Sequence, residues 1–176
     1  MKIVHRANTC FSLFTDNHHI LFDPWLNGPA VAGGWTQFPP ATKKIEDIPK
    51  PDLVYISHIH SDHCESTTLD GLSKDTPIVI MDLPPNFLKK MLQGKGFTNI
   101  FPLQPGKIHK IKNFNDFGFE VFGAGGDHIA ANIIDSGVIM SIEDKVIINF
   151  NDNHPTKEQC KEIKAKYSSI DLAFVP

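Results

Sequence analysis

The sequence predicts an α/β fold of the layered α+β type, and three observations carry that expectation. Short β-rich runs open the chain and recur along it. Helix-patterned segments separate them. A continuous apolar run, Leu53–Ser57, leads straight into a histidine-rich hexapeptide. Strands punctuated by helices favour a layered sandwich over a purely parallel doubly wound sheet. With 176 residues, 41% of them hydrophobic, the chain can enclose one sizeable core, so a single domain over residues 1–176 is expected.

The elements follow in order. Lys2–His5, Cys10–Thr15 and His19–Asp23 are β-rich runs, with Asp16-Asn17 as a turn between the last two, which predicts an antiparallel opening. From Trp25 to Pro51 the chain turns to Gly, Pro and Ala, too irregular for a regular element. Loops of this length in compact domains usually serve function, so this one is a candidate substrate wall. Leu53–Ser57 and Pro77–Met81 read as buried strands. Ser66–Leu72 fits a short helix. Pro84–Gln93 fits a clearer one, with Phe87, Leu88, Met91 and Leu92 on one face and Gly94 as its cap. Phe117–Phe122, Ile133–Ile142 and Lys145–Phe150 read as three strands, the last two joined by a turn at Glu143-Asp144. Thr156-Lys157-Glu158-Gln159 is a capping box opening a helix with Cys160, Ile163 and Tyr167 inward. Asp171–Pro176 closes the chain as a buried strand.

Composition excludes several classes. A net charge of −3 with scattered Lys and Arg leaves no basic footprint for nucleic acid or an anionic membrane surface, and basic groups are expected to contact a small substrate instead. Lys2, His5 and Arg6 interrupt the apolar residues at the N-terminus, so no secretory h-region is expected, and no run approaches the length of a bilayer span. Three widely separated cysteines, an odd number, argue against a disulfide framework and suit a cytoplasmic location. The compositional oddity is nine histidines, several of them clustered.

The cluster is His58-Ile59-His60-Ser61-Asp62-His63. Imidazole nitrogens suit zinc, iron and other first-row metals, and Asp62 adds a hard oxygen ligand. On an extended stretch, residues two apart face one side, so His58 and His60 can grip one ion while the following turn aims Asp62 and His63 at a second. Surface histidines in a loop are the plain alternative, but four metal-competent side chains in six residues directly after a buried strand weigh against it.

HIHSDH resembles the HxHxDH motif of the metallo-β-lactamase superfamily, and DPWL at Asp23–Leu26 is similar to the acidic turn on an early strand there. The resemblance runs through the whole chain in element order and implies an αββα sandwich. It implies His58, His60 and His128 on a first metal and Asp62 and His63 on a second, with Asp152 bridging. The metal would be one or two divalent ions, zinc first, with iron or manganese as alternatives. His128 lies in GAGGDHIA, where glycines let the backbone bend; Asp152 follows an apolar run in Asn-Asp-Asn, which is also an ordinary turn composition. A nearer resemblance is to the hydrolase-like domain of CMP-N-acetylneuraminate hydroxylases, through DPWLNGPAVAGGW and YISHIHSDH. Those hydroxylases also carry a Rieske module, whose paired Cys and His ligands have no counterpart here.

The superfamily usually continues past the strand resembling DLAFVP and supplies a further histidine there. We therefore expect a domain that lacks this C-terminal strand and helix, completed by a missing segment or a second copy; His154 has the spacing of a substitute ligand, but the same spacing fits a plain surface loop, which is the favoured reading. The leading expectation is a metal-dependent hydrolase in which activated water attacks an ester or phosphodiester centre, with Asp62 orienting the water or taking a proton. Trp35 and Phe38 are candidates to stack on a base or sugar, or to pin the loop. The alternatives are a non-hydrolytic sugar-nucleotide-binding partner of a redox system, or a degenerate metal-binding domain. His5 and His109 are expected to be structural, His18-His19 one exposed and one buried, and Cys64 a small buried residue.

Overall fold

A computed structural model describes residues 1–123 and 135–176. Two compact units divide the chain: Met1–Ile80 with Asn86–Pro102, and Met81–Pro85 with Leu103–Pro176.

A six-stranded sheet, ordered β1-β2-β3-β4-β5-β6, belongs mainly to the first unit: β1 Lys2–Ala7, β2 Cys10–Phe14, β3 His19–Phe22, β4 Leu53–Tyr55, β5 Ile78–Met81 and β6 Ile100–Leu103. The expected antiparallel opening is present, β1 pairing β2 and β2 pairing β3. At the turn between β2 and β3 the Thr15 hydroxyl accepts from the amides of Asn17 and His18. The sheet then becomes parallel, β3 beside β4 and β4 beside β5. Every residue of these three strands is buried, as their unbroken apolar runs require of strands covered on both faces.

Two helices follow, α1 Ser66–Asp70 and α2 Phe87–Gly94. Leu69 and Leu92 join Leu21, Val54, Ile56 and Ile78 in one apolar cluster. α2 starts at Phe87 rather than Pro84, because the residue before a proline is pushed out of the helical region and Pro84 precedes Pro85. Gly94 is the last helical residue and Gly96, at φ 88°, turns the chain. Phe87 is half-exposed, so Leu88, Met91 and Leu92 make the inward face without it. β6 was not expected: Pro102 interrupts its pattern, and an edge position tolerates the missing amide.

The second unit carries a five-stranded sheet, ordered β11-β10-β9-β8-β7: β7 Ile108–Ile111, β8 Phe114–Gly123, β9 Ser136–Ile142, β10 Lys145–Asn149 and β11 Leu172–Phe174. Its ladders are antiparallel except β10 with β11. The β9–β10 turn falls at Glu143, in the left-handed region at φ 53°. α3, Lys157–Lys166, opens with the expected capping box between Thr156 and Gln159. Ile163 and Tyr167 pack against Ile139, Ile148 and Phe150, whereas Cys160, expected inward, is exposed. β11 is half-exposed rather than buried, since it lies at the sheet's edge with one strand neighbour. Among the described residues no helix is long and apolar enough to cross a membrane.

His19 is the buried member of the His18-His19 pair. Its ring stacks on Phe14 at 4.3 Å, Nε2 is hydrogen-bonded to the Ser12 hydroxyl at 2.9 Å, and its Nδ1 has no hydrogen-bond partner among the described residues. Burial lowers its pKa below the ordinary imidazole value, and the Arg6 charge pushes the same way. The unfolded chain therefore binds this proton more readily than the folded one. The contribution of His19 to stability is full above the unfolded value, about 6.5, and is lost as pH falls below it toward the lowered folded value. Urea unfolding of the wild type and His19→Gln at pH 7.5 and pH 5.5 should show a steeper loss in the wild type. Equal losses in the two proteins would contradict this account.

Candidate metal centre

β4 ends at Tyr55, and the chain emerges from the carboxyl end of the parallel strands, where open α/β sheets commonly place their sites. Ile56 still bonds to the sheet through Val79, and the next two residues, Ser57 and His58, are buried. The chain then bends. The amides of His63 and Cys64 both donate to the His60 carbonyl, closing a turn that brings the four candidate ligands of the hexapeptide together.

The ligand atoms form two pairs. His58 Nε2 lies 2.9 Å from His60 Nδ1, and His63 Nε2 lies 3.6 Å from Asp62 Oδ2. The His58 and His63 rings are 4.1 Å apart at their centres. Two metal–nitrogen bonds of about 2.0–2.1 Å diverging at about 90–110° put the nitrogens about 2.9–3.4 Å apart. The His58–His60 spacing therefore fits two ligands of one ion. His58 and His63 are almost wholly buried, Asp62 is partly exposed and His60 is exposed, so the donor set faces outward from a dry floor.

Behind these rings stands a supporting layer. The Ser57 hydroxyl meets His58 Nδ1 at 2.9 Å and His63 Nδ1 at 3.2 Å. Asp23, fully buried after β3, accepts from the Ser57 amide through Oδ1 at 2.7 Å and faces His63 Nδ1 through Oδ2 at 3.2 Å. A carboxylate on Nδ1 favours a proton there, which leaves Nε2 as the nitrogen with a donor lone pair. Both buried imidazoles thus use Nδ1 for support and turn Nε2 toward the other pair members.

The loop after Asp23 is tied to the same segment through Glu65. This buried carboxylate caps α1, accepting from the amides and hydroxyls of Thr67 and Thr68, and accepts from the Gly28 amide. Burial alone would raise its pKa, but the Thr67 and Thr68 donors outweigh it and hold the carboxyl below the usual range. A side chain at position 28 would collide with Thr67 and Glu65, so glycine is needed for that approach. The Thr68 hydroxyl also receives the Leu26 and Asn27 amides. Neither Ser57 nor Glu65 was singled out in the sequence. Their signal is position: Ser57 directly precedes the first histidine, and Glu65 directly precedes a Ser-Thr-Thr helix start.

Among the other candidates, Trp35 and Phe38 are exposed, Phe38 almost entirely, and line a cavity of about 890 Å³ together with Trp25 and Asp62. Asp152 is exposed in the turn after β10 of the second unit, and His154, two residues on, is exposed too. Its neighbours Asn149 and Asn151 are hydrogen-bonded to each other, a turn stabilised by its own side chains. His128 lies outside the described residues. Cys64 is buried, as expected of a small core residue, and desolvation, reinforced by the charges of Asp23, Asp62 and Glu65, pushes its thiol up to about 12.

Residues 18–176 match the family described as "Beta-lactamase superfamily domain". The chain is 30% identical over 154 residues to the cytidine monophosphate-N-acetylneuraminic acid hydroxylase of Xenopus laevis, an alignment covering 87% of this chain and 24% of that protein. The chain thus spans about a quarter or less of the length of the curated relatives it matches. Among solved structures, the isothiocyanate hydrolase from Delia radicum gut bacteria superposes with a TM-score of 0.74 at 19% identity, covering 93% of this chain and 67% of that one. CmlA, a diiron β-hydroxylase from Streptomyces venezuelae, superposes with a TM-score of 0.75 at 14% identity, covering 97% and 33%. At these identities the structures speak for the metallo-β-lactamase fold alone, and the match over residues 18–176 gives the family: the chain belongs to the group described as the beta-lactamase superfamily domain.

Proposed function

We propose that this chain is a metal-dependent hydrolase acting on a small molecule with an ester or phosphodiester-type centre. The observation that carries the reading is the pair of buried imidazoles, His58 and His63, each backed on Nδ1 and each turning Nε2 toward a partner ligand, His60 in one case and Asp62 in the other. Random loop histidines have no reason to be buried and held on Nδ1, His58 by the Ser57 hydroxyl and His63 by both that hydroxyl and the fully buried Asp23 carboxylate.

In this reading His58 and His60 hold a first ion and His63 and Asp62 a second. His128 and Asp152 complete the set on the strength of the sequence resemblance. A divalent ion held there, with zinc as the first expectation and iron or manganese as alternatives, would supply an acidified water and an electrophile for developing negative charge. Asp62, the partly exposed carboxylate, orients the attacking water or accepts its proton. Trp35 and Phe38 give the substrate an apolar wall, and the buried Ser57, Asp23 and Glu65 hold the ligands in place before substrate arrives.

A second reading rests on a separate observation, the sequence similarity to a hydroxylase named for a cytidine monophosphate sugar. Under it the chain binds a sugar nucleotide in the cavity beside Asp62 and presents it to a redox partner, without hydrolysis. Tight binding without turnover would favour this reading.

Elemental mass spectrometry on protein purified without chelator or a histidine tag should find about two ions per chain, with the ion of the His58–His60 position lost in His58→Ala/His60→Ala. The metal-loaded protein should turn over members of an ester and phosphodiester panel, and inertness toward all of them would end the hydrolase reading. A finer test uses Asp23→Asn. The amide still accepts from Ser57 through its oxygen but presents N–H to His63 Nδ1. It thereby favours the tautomer protonated at Nε2, which cannot ligate. Metal affinity at the His63 position should fall about 10–100-fold while the His58–His60 position keeps its ion. Undiminished affinity at both positions would contradict the role given to Asp23.

A further inference from the structure

The cavity beside Asp62 contains a cation that the metal chemistry does not use. Arg6, on β1, lines the same space as Trp25, Trp35, Phe38 and Asp62. It sits at an irregularity in the β1–β2 ladder: His5 pairs with Phe11 and Ala7 with Cys10, so Arg6 is the extra residue of a bulge. Bulges re-aim side chains, and they concentrate beside functional sites.

The guanidinium is held rather than loose. Its Nε donates to the Ser12 hydroxyl at 2.9 Å, and that hydroxyl, fully buried, is also hydrogen-bonded to the His19 ring. The guanidinium carbon also lies 5.8 Å from the centre of the Phe14 ring. A guanidinium fixed through Nε keeps its two outer nitrogens as a planar fork, the geometry that grips a carboxylate or phosphate in two parallel bonds. The rest of the wall is aromatic: Trp35 is 55% exposed and Phe38 98% exposed, so both offer ring faces. The wall is also anchored, since Gln37 donates to the Trp25 carbonyl and accepts from the Ala41 amide.

We propose that Arg6 is the anion anchor of this cavity, binding the phosphate or carboxylate of a ligand whose ring lies against Trp35. The inference deepens the proposed function by naming the substrate class, a ring-bearing oxyanion, and rests on that reading only in placing the ligand beside Asp62. Arg6 acts in binding and not in chemistry.

Both tryptophans of the chain line the cavity, so intrinsic fluorescence reports its occupancy directly. The full chain would be titrated with cytidine 5′-monophosphate, N-acetylneuraminate and neutral cytidine, in metal-loaded form and after chelator treatment. At least one anion should bind in both forms and cytidine far more weakly. A response to the nucleotide assigns the fork to phosphate, and a response to the sugar acid assigns it to carboxylate. Arg6→Gln should weaken that binding about tenfold or more, and Arg6→Lys, which keeps the charge without the fork, by less. Circular dichroism checks that both variants fold; if Arg6→Gln does not, the Lys variant decides, and affinity equal to wild type counts against the fork. No binding by either anion, or unchanged affinity in a folded Arg6→Gln, overturns the proposal. Binding that disappears with chelator yet survives Arg6→Gln assigns the anion to the metal centre instead, and so overturns the role of Arg6 while leaving the hydrolase reading standing.

Discussion

The arrangement around the hexapeptide depends on one buried carboxylate. Asp23 is wholly excluded from solvent, its backbone lies in the left-handed region at φ 41°, and its two oxygens face the Ser57 amide and the His63 ring. A buried carboxylate without such partners would cost several kcal/mol, so these contacts are requirements of its burial and not additions to it. Because Asp23 also donates its amide to the Tyr55 carbonyl, one residue joins the end of β3, the end of β4 and the first turn of the hexapeptide. Displacing it would leave a charge unmatched and would release the imidazole whose orientation it sets.

The rest of the first unit can be read as support for that junction. Parallel β3, β4 and β5 are buried along their whole length and β3 and β4 end level at Phe22 and Tyr55, so the chain leaving β4 starts from a fixed point. Glu65 and Thr68 then fasten the Leu26–Gly28 backbone to the start of α1, bringing the long loop back to the hexapeptide. The Ser61 hydroxyl accepts from the Val31 amide and adds a second tie further along. The outcome is a loop of irregular backbone whose base is held by hydrogen bonds to buried groups while its aromatic tips stay exposed.

Much of this was legible in the sequence because it rests on local signals. HIHSDH after an unbroken apolar run marks a strand end and a cluster of metal-competent side chains that the structure brings together, and the alternation of short β-rich runs with turns predicts the antiparallel opening that is found. The capping box at Thr156 marks a helix start to the residue. What was not legible depends on partners distant in sequence. Arg6 stood out only as a charge interrupting an apolar N-terminus; its bulge exists only once β1 pairs with β2. Glu65 was not singled out, and its five donors come from Gly28 and from the helix it caps. β6 and β7 are four residues each, one broken by Pro102 and one alternating too briefly for periodicity to show. Cys160 was misplaced because helical spacing gives a face and not its depth.

The polar groups of this region divide by burial in a way that has a physical reason. Ser57, Asp23, Glu65, His58 and His63 are buried, and each meets a partner, so their geometry is fixed before anything binds. His60, Asp62, Arg6, Trp35 and Phe38 keep contact with solvent, which is where an incoming molecule must be met. Fixing the first group limits the reorganisation that would otherwise oppose ligand binding. Leaving the second group solvated lets desolvation be matched by new contacts only when a ligand with the right charge and shape arrives. The exposed loop and the bulged edge strand can therefore vary without disturbing the buried carboxylate that meets His63.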